Sequence, residues 1–360
     1  DGHPIRPDDF ARLVERVLAV SDRIAGRHGQ PTEFELLTAV VFARFAEVRP
    51  DVAIVEVGLG GRLDATHAWD GGVAAVTNVD LDHIDRLGAT ITAIAREKAA
   101  ILERGDLAVT GARGDGLAVI RRRARRLGIP LTEVAPAPIL GWDRDGIDVE
   151  LPGLGRTRVA LRGRHQAANV AIAEAVLDAL AEAGIAHTPA AARRAGYASA
   201  VWPGRLELLT VGGRDVLLDG AHNPAGAAAL AVALDDLRPF LSDGPLTLVT
   251  ASMADKDVDG MIRALGTSAA LRGATIVCTR VDLPRAMPAA DLAARWRVGM
   301  PAVPVIAEPD HRAALDRALS GNPAASGPTV VAGSLYLVGA VRARLVDDPD
   351  LRDPDPSEDA

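Results

Sequence analysis

The chain has 360 residues, 48% of them hydrophobic, which is enough for two domains with separate cores. No apolar run approaches the ~20 residues that span a bilayer, and the amino terminus has neither an initiator Met nor the apolar region of a signal peptide. The net charge of −8 argues against broad nucleic-acid binding. The single cysteine, Cys278, excludes an intrachain disulfide and is typical of a buried thiol in a reducing cytoplasm, where we expect the protein to act.

Two amphipathic helices are predicted at the start of the chain. The first covers residues 7–28, whose apolar side chains recur at helical spacing. The second covers residues 32–48, where Thr32 followed three residues later by Glu35 is the pattern of a capping box.

A single carboxylate, Glu56, stands near the end of an apolar run at residues 52–57. The β-branched residues of this run, followed by a glycine cluster, predict a short strand buried on both faces. An ionised Glu there costs several kcal/mol unless a cation or hydrogen-bond donors compensate for it. One interpretation is therefore a ligand for a metal ion or substrate at the strand's carboxyl end. The alternative is a solvent-exposed Glu56 paired with Arg62.

A second buried strand is predicted at residues 73–79, and it runs directly into Asp80-Leu-Asp-His83. Neighbouring parallel strands end at the same edge of a sheet. We therefore expect Glu56 and His83 to lie near each other.

The next predicted helix, residues 90–102, carries Lys98 on the same face as its isoleucines. Burial lowers the pKa of a lysine and makes its neutral amine reactive. A snorkelling side chain or a pairing with Glu97 is the alternative.

The middle of the chain is predicted to alternate between strand and helix. Residues 107–110 are typical of a strand and residues 117–127 of a helix, and the basic run 121–126 is interpreted as the solvated face of that helix. Residues 139–161 are predicted to form short antiparallel hairpins.

Another long helix is predicted to begin within residues 161–169 and to run to about residue 183. His165 and Asn169 lie four residues apart at its start, and this position alone favours a capping role. Further on, Trp202-Pro-Gly marks a turn, which we interpret as a hinge between domains.

The remainder of the chain alternates strands with helices and predicts a doubly wound α/β domain. Its strands are predicted at residues 216–218, 246–250, 275–278, 303–306 and 329–332. The first of them leads into Asp219-Gly-Ala-His-Asn-Pro, where Asn223 is a suitable N-cap and Pro224 a suitable first helical residue. Asp219 and His222 would then project beside a helix N-terminus, an arrangement that suits an anion.

Several of these motifs share the order and spacing of one enzyme family. The chain resembles folylpolyglutamate synthase and bifunctional dihydrofolate synthase, members of the Mur ligase superfamily. The resemblance is carried by Glu-Val-Gly-Leu-Gly-Gly-Arg-Leu-Asp-Ala-Thr at 56–66, Leu-Asp-His at 81–83, the Glu-Lys-Ala-Ala-Ile segment at 97–101 and Asp-Gly-Ala-His-Asn-Pro at 219–224. It implies two doubly wound α/β domains, a Mur-ligase central domain at residues 1–203 and a Rossmann-like carboxyl-terminal domain at residues 204–360.

The activity implied by the resemblance is ATP-dependent amide ligation. L-glutamate would be joined to a folate, to dihydropteroate or to both, through an acyl phosphate. The expected partners are these small molecules and ATP, with Mg²⁺ as cofactor and with no nucleic acid or membrane, and we expect a monomer.

The family's metal and substrate residues carry over by motif. The resemblance implies Mg²⁺ at Glu56 and His83, and a catalytic Lys98 whose carbamate, formed with CO₂, would bind a second Mg²⁺. An imidazole is an unusual ligand for a hard cation, and His83 receives this role from the resemblance alone. Weaker expectations place Arg62 and Asp64 in contact with substrate.

The ATP-binding residues carry over in the same way. Asn169, within His-Gln-x-x-Asn, is implied to contact adenine, and Arg205 to face the phosphates. Asp219 is implied to contact the ribose, and His222 to lie near the phosphates with a catalytic role.

Some positions depart from the family pattern. The sequence contains no Gly-x-x-x-x-Gly-Lys-Ser/Thr phosphate loop, and the expectation is a chain that lacks this amino-terminal segment and has little activity alone. His67 stands where Asn is usual, and Ala100 where Gly is usual. The alternatives are another Mur-type ligase acting on a cell-wall precursor, or a non-catalytic nucleotide- or folate-binding remnant.

Overall fold

The computed structural model describes residues 4–320 and 327–347. The chain separates into two compact units: unit 1 contains the residues up to Pro136 together with Ala171–Pro189, and unit 2 contains Ala137–Val170 and the residues from Ala190 onward. This division groups residues by proximity, and the domain boundary at 203/204 remains a prediction. Within the described ranges, no helix is long and apolar enough to cross a membrane.

Unit 1 contains most of the elements predicted for the first half of the chain. Its elements are α1 (Pro7–His28), α2 (Glu33–Val48), a 3₁₀ helix (Ala65–Ala68), β1 (Val73–Val76), α3 (Ile84–Leu87), α4 (Ile91–Ala99), β2 (Leu107–Thr110), α5 (Gly114–Leu127) and β3 (Leu131–Glu133). The predicted capping box is confirmed at α2, where Thr32 accepts from the Glu35 N–H and the Glu35 carboxylate accepts from the Thr32 N–H.

The sheet of unit 1 is parallel, in the order β1-β2-β3. One face packs on α4 and α5 through side chains such as Val76, Leu102 and Ile120. The other face packs through Val109 on Ile172 of the helix α6 (Gln166–Glu182), which begins in unit 2 and ends in unit 1. Helices therefore cover both faces, as the predicted α/β class requires.

The strand predicted at residues 52–57 is not formed. These residues carry no regular secondary structure, and the Ile54 side chain is 92% exposed. Glu56 is exposed as well, so the premise that its carboxylate is buried is wrong. The physical reason is that a strand needs a hydrogen-bonded neighbour, and within the described residues the sheet consists of β1, β2 and β3 alone.

Unit 2 contains two sheets. Its elements are β4 (Ile139–Asp143), β5 (Gly146–Leu151), β6 (Gly155–Val159), α7 (Ala190–Ala198), β7 (Glu207–Val211), β8 (Arg214–Leu218), α8 (Pro224–Leu237), a 3₁₀ helix (Arg238–Phe240), β9 (Thr247–Thr250), α9 (Val258–Leu265), a 3₁₀ helix (Ala269–Leu271), β10 (Thr275–Arg280), α10 (Ala289–Gly299), β11 (Val305–Asp310), α11 (His311–Leu319), β12 (Thr329–Ala332) and α12 (Leu335–Leu345). The predicted hairpins are confirmed as the antiparallel sheet β4-β5-β6.

The larger sheet has the order β11-β10-β9-β12-β8-β7, and only β7 is antiparallel to its neighbour. Two separate apolar clusters cover its faces, one with α8, α9 and α10 and the other with α11 and α12. The predicted doubly wound domain is confirmed. Strand β7 was missed, although the Gly212-Gly213 pair between β7 and β8 is a hairpin signal, and both glycines have positive φ.

Candidate active site

The glycine-rich segment at residues 58–66 forms a loop around the carboxylate of Asp64. Oδ2 of Asp64 accepts from the Leu59 N–H at 2.8 Å, while Oδ1 accepts from the Thr66 N–H at 3.0 Å and from its hydroxyl at 2.6 Å. Burial alone would raise the pKa of Asp64, but these hydrogen bonds outweigh it and hold the pKa below its ordinary value. Asp64 is therefore an ionised anchor of the loop.

The same loop lies against helix α4. The Arg62 N–H donates to the Glu97 carbonyl at 3.2 Å, and Nε of Arg62 lies 2.9 Å from Oε1 of Glu97. A Cβ added to Gly61, whose φ is +149°, would lie 2.8 Å from the Glu97 carbonyl oxygen. Only glycine allows this approach. Arg62 thus pairs with Glu97, not with Glu56, and Glu97 is not the partner of Lys98.

Lys98 lies on α4 between buried apolar positions and is itself half-buried. The prediction that it is on the apolar side of the helix is supported by Ile94, which is 0% exposed one turn earlier. Complete burial is not observed. Its amine makes no hydrogen bond or salt bridge recorded with another residue of the described ranges.

His83 directly follows the loop that leaves β1. It adopts a left-handed conformation (φ 49°, ψ 41°) at the start of α3, and its ring is exposed, with Nε2 4.0 Å from Oδ1 of Asp82. Among the described residues, no group of three or more His, Cys, Asp or Glu gathers as a metal site. That Glu56 and His83 lie near each other and bind the same metal ion stays a prediction.

The donor set nevertheless fits one kind of cation. Mg²⁺ keeps several waters and is bound through one or two carboxylates plus substrate phosphates, not by an all-protein cage. The exposed carboxylate of Glu56 suits such a site.

In unit 2, Asp219 joins the end of β8 to the turn that carries Arg205. Oδ2 of Asp219 accepts from the Leu206 N–H at 3.0 Å, and Oδ1 accepts from the Ala221 N–H at 2.9 Å. Asp219 is 7% exposed, and this burial raises its pKa against the opposing effect of the hydrogen bonds and of Arg205.

The turn itself is strained. Leu206 is fully buried and has a φ of 46°, which L-residues other than Asn and Asp rarely adopt. Its N–H is held by Asp219, and its carbonyl accepts from the Arg162 guanidinium at 3.3 Å. These contacts fix the backbone on one side of Arg205, whose side chain is exposed.

His222 follows at the start of α8. Its Nδ1 lies 2.8 Å from the Gly220 carbonyl oxygen, so Nδ1 donates to this oxygen and Nε2 is left for a ligand. The N-cap prediction is confirmed: the Asn223 side chain accepts from the Gly226 N–H, and Pro224 occupies the first helical position.

Asn169 lies in the first turn of α6 and is exposed. Its Nδ2 donates to Oε1 of Gln166 at 2.8 Å, and Nε2 of Gln166 lies 3.1 Å from Nε2 of His165. Burial, and next the positive charge of Arg205, lower the pKa of His165. A neutral His165 can accept from Gln166, which orients Gln166. Among the described residues, Oδ1 and one N–H of Asn169 have no hydrogen-bond partner.

Several residues of this arrangement were not predicted from the sequence. Gln166 accepts from the Asn169 side chain, Arg162 donates to the Leu206 carbonyl, and the Leu206 N–H donates to the Asp219 carboxylate. The His-Gln-x-x-Asn spacing was the available signal for Gln166. No sequence signal distinguished Arg162 or the left-handed Leu206.

Comparisons with known proteins agree with this fold. Residues 204–335 match the family described as Mur ligase, glutamate ligase domain. This part of the chain is therefore similar to the glutamate ligase domain of the Mur ligases.

Over 97% of its length the chain is 36% identical to the dihydrofolate synthase/folylpolyglutamate synthase of Mycobacterium tuberculosis, covering 77% of that protein. The chain belongs to the dihydrofolate synthase/folylpolyglutamate synthase family.

Solved structures show the same relationship. Folylpolyglutamate synthase of M. tuberculosis complexed with ADP superposes with a TM-score of 0.81 at 32% identity, over 96% of this chain and 80% of that one. The bifunctional folylpolyglutamate synthase/dihydrofolate synthase of Yersinia pestis, complexed with AMPPNP and a Mn ion, gives a TM-score of 0.76 at 27% identity, over 96% and 77% of the two chains.

Proposed function

We propose that this chain is an ATP-dependent ligase that joins L-glutamate to a folate carboxylate, and to that of dihydropteroate, in the cytoplasm. The observation that carries the proposal is the similarity to a dihydrofolate synthase/folylpolyglutamate synthase over 97% of the chain. The arrangement of residues in unit 2 supports it, because the positive charges of Arg205 and His222 both act on the buried Asp219.

ATP would be held by the residues of unit 2. The exposed guanidinium of Arg205 can bind two phosphate oxygens at once, and Nε2 of His222 can donate to a phosphate oxygen when protonated. The free Oδ1 and N–H of Asn169 match the amine donor and ring-nitrogen acceptor of adenine. Asp219, although both oxygens accept backbone hydrogen bonds, keeps lone pairs for a ribose hydroxyl.

Glu56 and His83 would hold Mg²⁺ in this proposal. When bound, Mg²⁺ neutralises charge on the phosphates during phosphoryl transfer. Lys98 would form a carbamate: its neutral Nζ bonds to the carbon of CO₂, one proton leaves Nζ to water, and the neutral amine becomes an anion suited to a second Mg²⁺. Lys98 is half-buried on the apolar side of α4, and the step requires its neutral amine.

The reaction would proceed in two steps. The folate carboxylate takes the γ-phosphoryl group of ATP to give an acyl phosphate, and ADP leaves. The amine of glutamate then attacks the acyl carbon, phosphate leaves, and the amide forms. The role of this chain's residues is mostly positioning and charge neutralisation.

The test is ADP release with each substrate omitted in turn. Because the sequence contains no phosphate-loop motif, we expect turnover to be low. We expect it only when a folate or dihydropteroate, glutamate and Mg-ATP are all present, with a product heavier by one glutamyl residue in mass spectra. Turnover with a cell-wall precursor in place of folate would assign another Mur-type activity. Binding of ATP and folate without any turnover would contradict the proposal and favour a non-catalytic protein.

A further inference from the structure

A groove of about 560 Å³ between helices α4 and α5 of unit 1 is lined by arginines. Five guanidinium groups border it above a floor of alanine and valine side chains, and no carboxylate lines it: Arg62, Arg96, Arg122, Arg123 and Arg126. The chain as a whole carries a net charge of −8, so this concentration of cations does not follow from its composition.

Two of the five arginines already have partners. Arg62 pairs with Glu97, and Arg123 donates to the Leu102 carbonyl at 2.8 Å. Arg96, Arg122 and Arg126 are exposed, and within the described ranges no hydrogen bond or salt bridge is recorded for their guanidinium groups. Three cations therefore border the groove without compensation.

The basic run of α5 is thus not one uniform solvated face. Arg121 pairs with Glu133 outside the groove, and Arg125 is exposed and does not line it. Arg122 and Arg126 lie one turn apart on the groove side, a like-charge spacing that destabilises a helix. Their convergence with Arg96 over an apolar floor suits a ligand that supplies several negative charges, since guanidinium forks match carboxylates.

We propose that this groove binds an anion with several carboxylates, and specifically the polyglutamate tail of a folate. This inference rests on the proposed function. Each internal residue of a glutamate oligomer keeps one free carboxylate, so every ligation adds one negative charge to the product. Arg62, which belongs to the loop docked on the helix of Lys98, connects the groove to the segment in which the metal and substrate residues are proposed.

The experiment compares the double variant R122Q/R126Q with the matched control R125Q on the same helix. Binding of glutamate, triglutamate and pentaglutamate is measured by calorimetry at low and at physiological salt, with inorganic triphosphate as a second polyanion. In the wild type and in R125Q we expect affinity to rise with oligomer length and to weaken with salt. In the double variant, pentaglutamate affinity should fall roughly fivefold to tenfold.

Ligase activity separates this proposal from the proposed function. With a monoglutamate folate, R122Q/R126Q should retain wild-type turnover, whereas KM for a long-tailed folate should rise. Affinity independent of length, an equal loss in R125Q, or tighter binding of triphosphate than of pentaglutamate would overturn the tail site. Absence of wild-type turnover with any folate would overturn the proposed function instead.

Discussion

Replacing Gly61 with alanine tests whether the glycine-rich loop is docked on α4. Gly61 is buried, its φ is +149°, and an added Cβ would lie 2.7 Å from Cγ2 of Ile101 and 2.8 Å from the Glu97 carbonyl oxygen. A backbone oxygen cannot move aside as the end of a flexible side chain can. The loop would therefore have to leave the helix, which separates Arg62 from Glu97.

Two terms set the loss of folding stability expected for Gly61→Ala. Positive φ in a non-glycine residue costs about 1–3 kcal/mol, and overpacking of a closely packed site adds about 1–3 kcal/mol. Gly105 offers a matched control, since its φ is +98° but nothing lies within 4 Å of an added Cβ. Gly105→Ala should show the backbone term alone, so the two variants should differ by about 1–3 kcal/mol.

Urea unfolding of both variants measures the difference. Hydrogen exchange followed by mass spectrometry then locates it, because Gly61→Ala should speed exchange at residues 58–66, where the Arg62 N–H bonds to Glu97. If Gly61→Ala were no less stable than Gly105→Ala, or if exchange in the loop were unchanged, the docking of this loop on α4 would be refuted.

Four further outcomes are expected. Lys98→Arg should abolish ligation because arginine cannot become neutral. Lys98→Ala should regain part of its activity when acetate is added. If carbon-13 NMR in labelled bicarbonate showed no adduct on the wild type, this would count against the carbamate. Glu56→Ala and His83→Ala should raise the Mg²⁺ concentration for half-maximal activity, and wild-type Mg²⁺ dependence in both would place the metal elsewhere. Gln166→Leu removes the hydrogen bond that orients Asn169 and should raise KM for ATP about fivefold, the equivalent of one hydrogen bond. KM for glutamate should stay constant. An unchanged KM for ATP would contradict the binding of adenine by Asn169. Asp106 is 1% exposed, and burial, with neighbouring Asp70, raises its pKa to about 6. Because this folded-state pKa is above the unfolded value, the protonated carboxyl stabilises the fold at about pH 4. That contribution to stability is lost as the pH rises through about 6. Asp106→Asn should flatten that decline in urea midpoints, and an equally steep decline would exclude Asp106 as its source.

Signals confined to neighbouring residues were the ones that predicted structure well. The capping box at Thr32 and the N-cap at Asn223 depend on bonds within one helical turn, and both form as predicted. The alternation of strands and helices in unit 2 likewise predicted its class, because central strands such as β9, β10 and β12 are short runs of mostly apolar or β-branched residues. The family motifs are equally local, and so the family could be identified without a structure.

The burial of a side chain and its salt-bridge partner could not be predicted in this way. Both depend on which distant segments of the chain pack against that side chain. Residues 52–57 have the composition of a buried strand, yet in the described structure they have no neighbour to pair with, and Glu56 is left exposed. Arg62 could have paired with Glu56 or Glu97, and docking of the loop on α4 decided in favour of Glu97.

What the sequence by itself determined about this protein is its family, its α/β class and the identity of its candidate ligands. The tertiary structure alone decided that Asp219 holds Leu206 in a left-handed conformation, and that arginines from α4 and α5 border one groove. The physical reason is that helix and cap signals act over a few residues. A buried carboxylate's partners and a shared electrostatic field arise only when segments distant in the chain come within a few ångströms of each other.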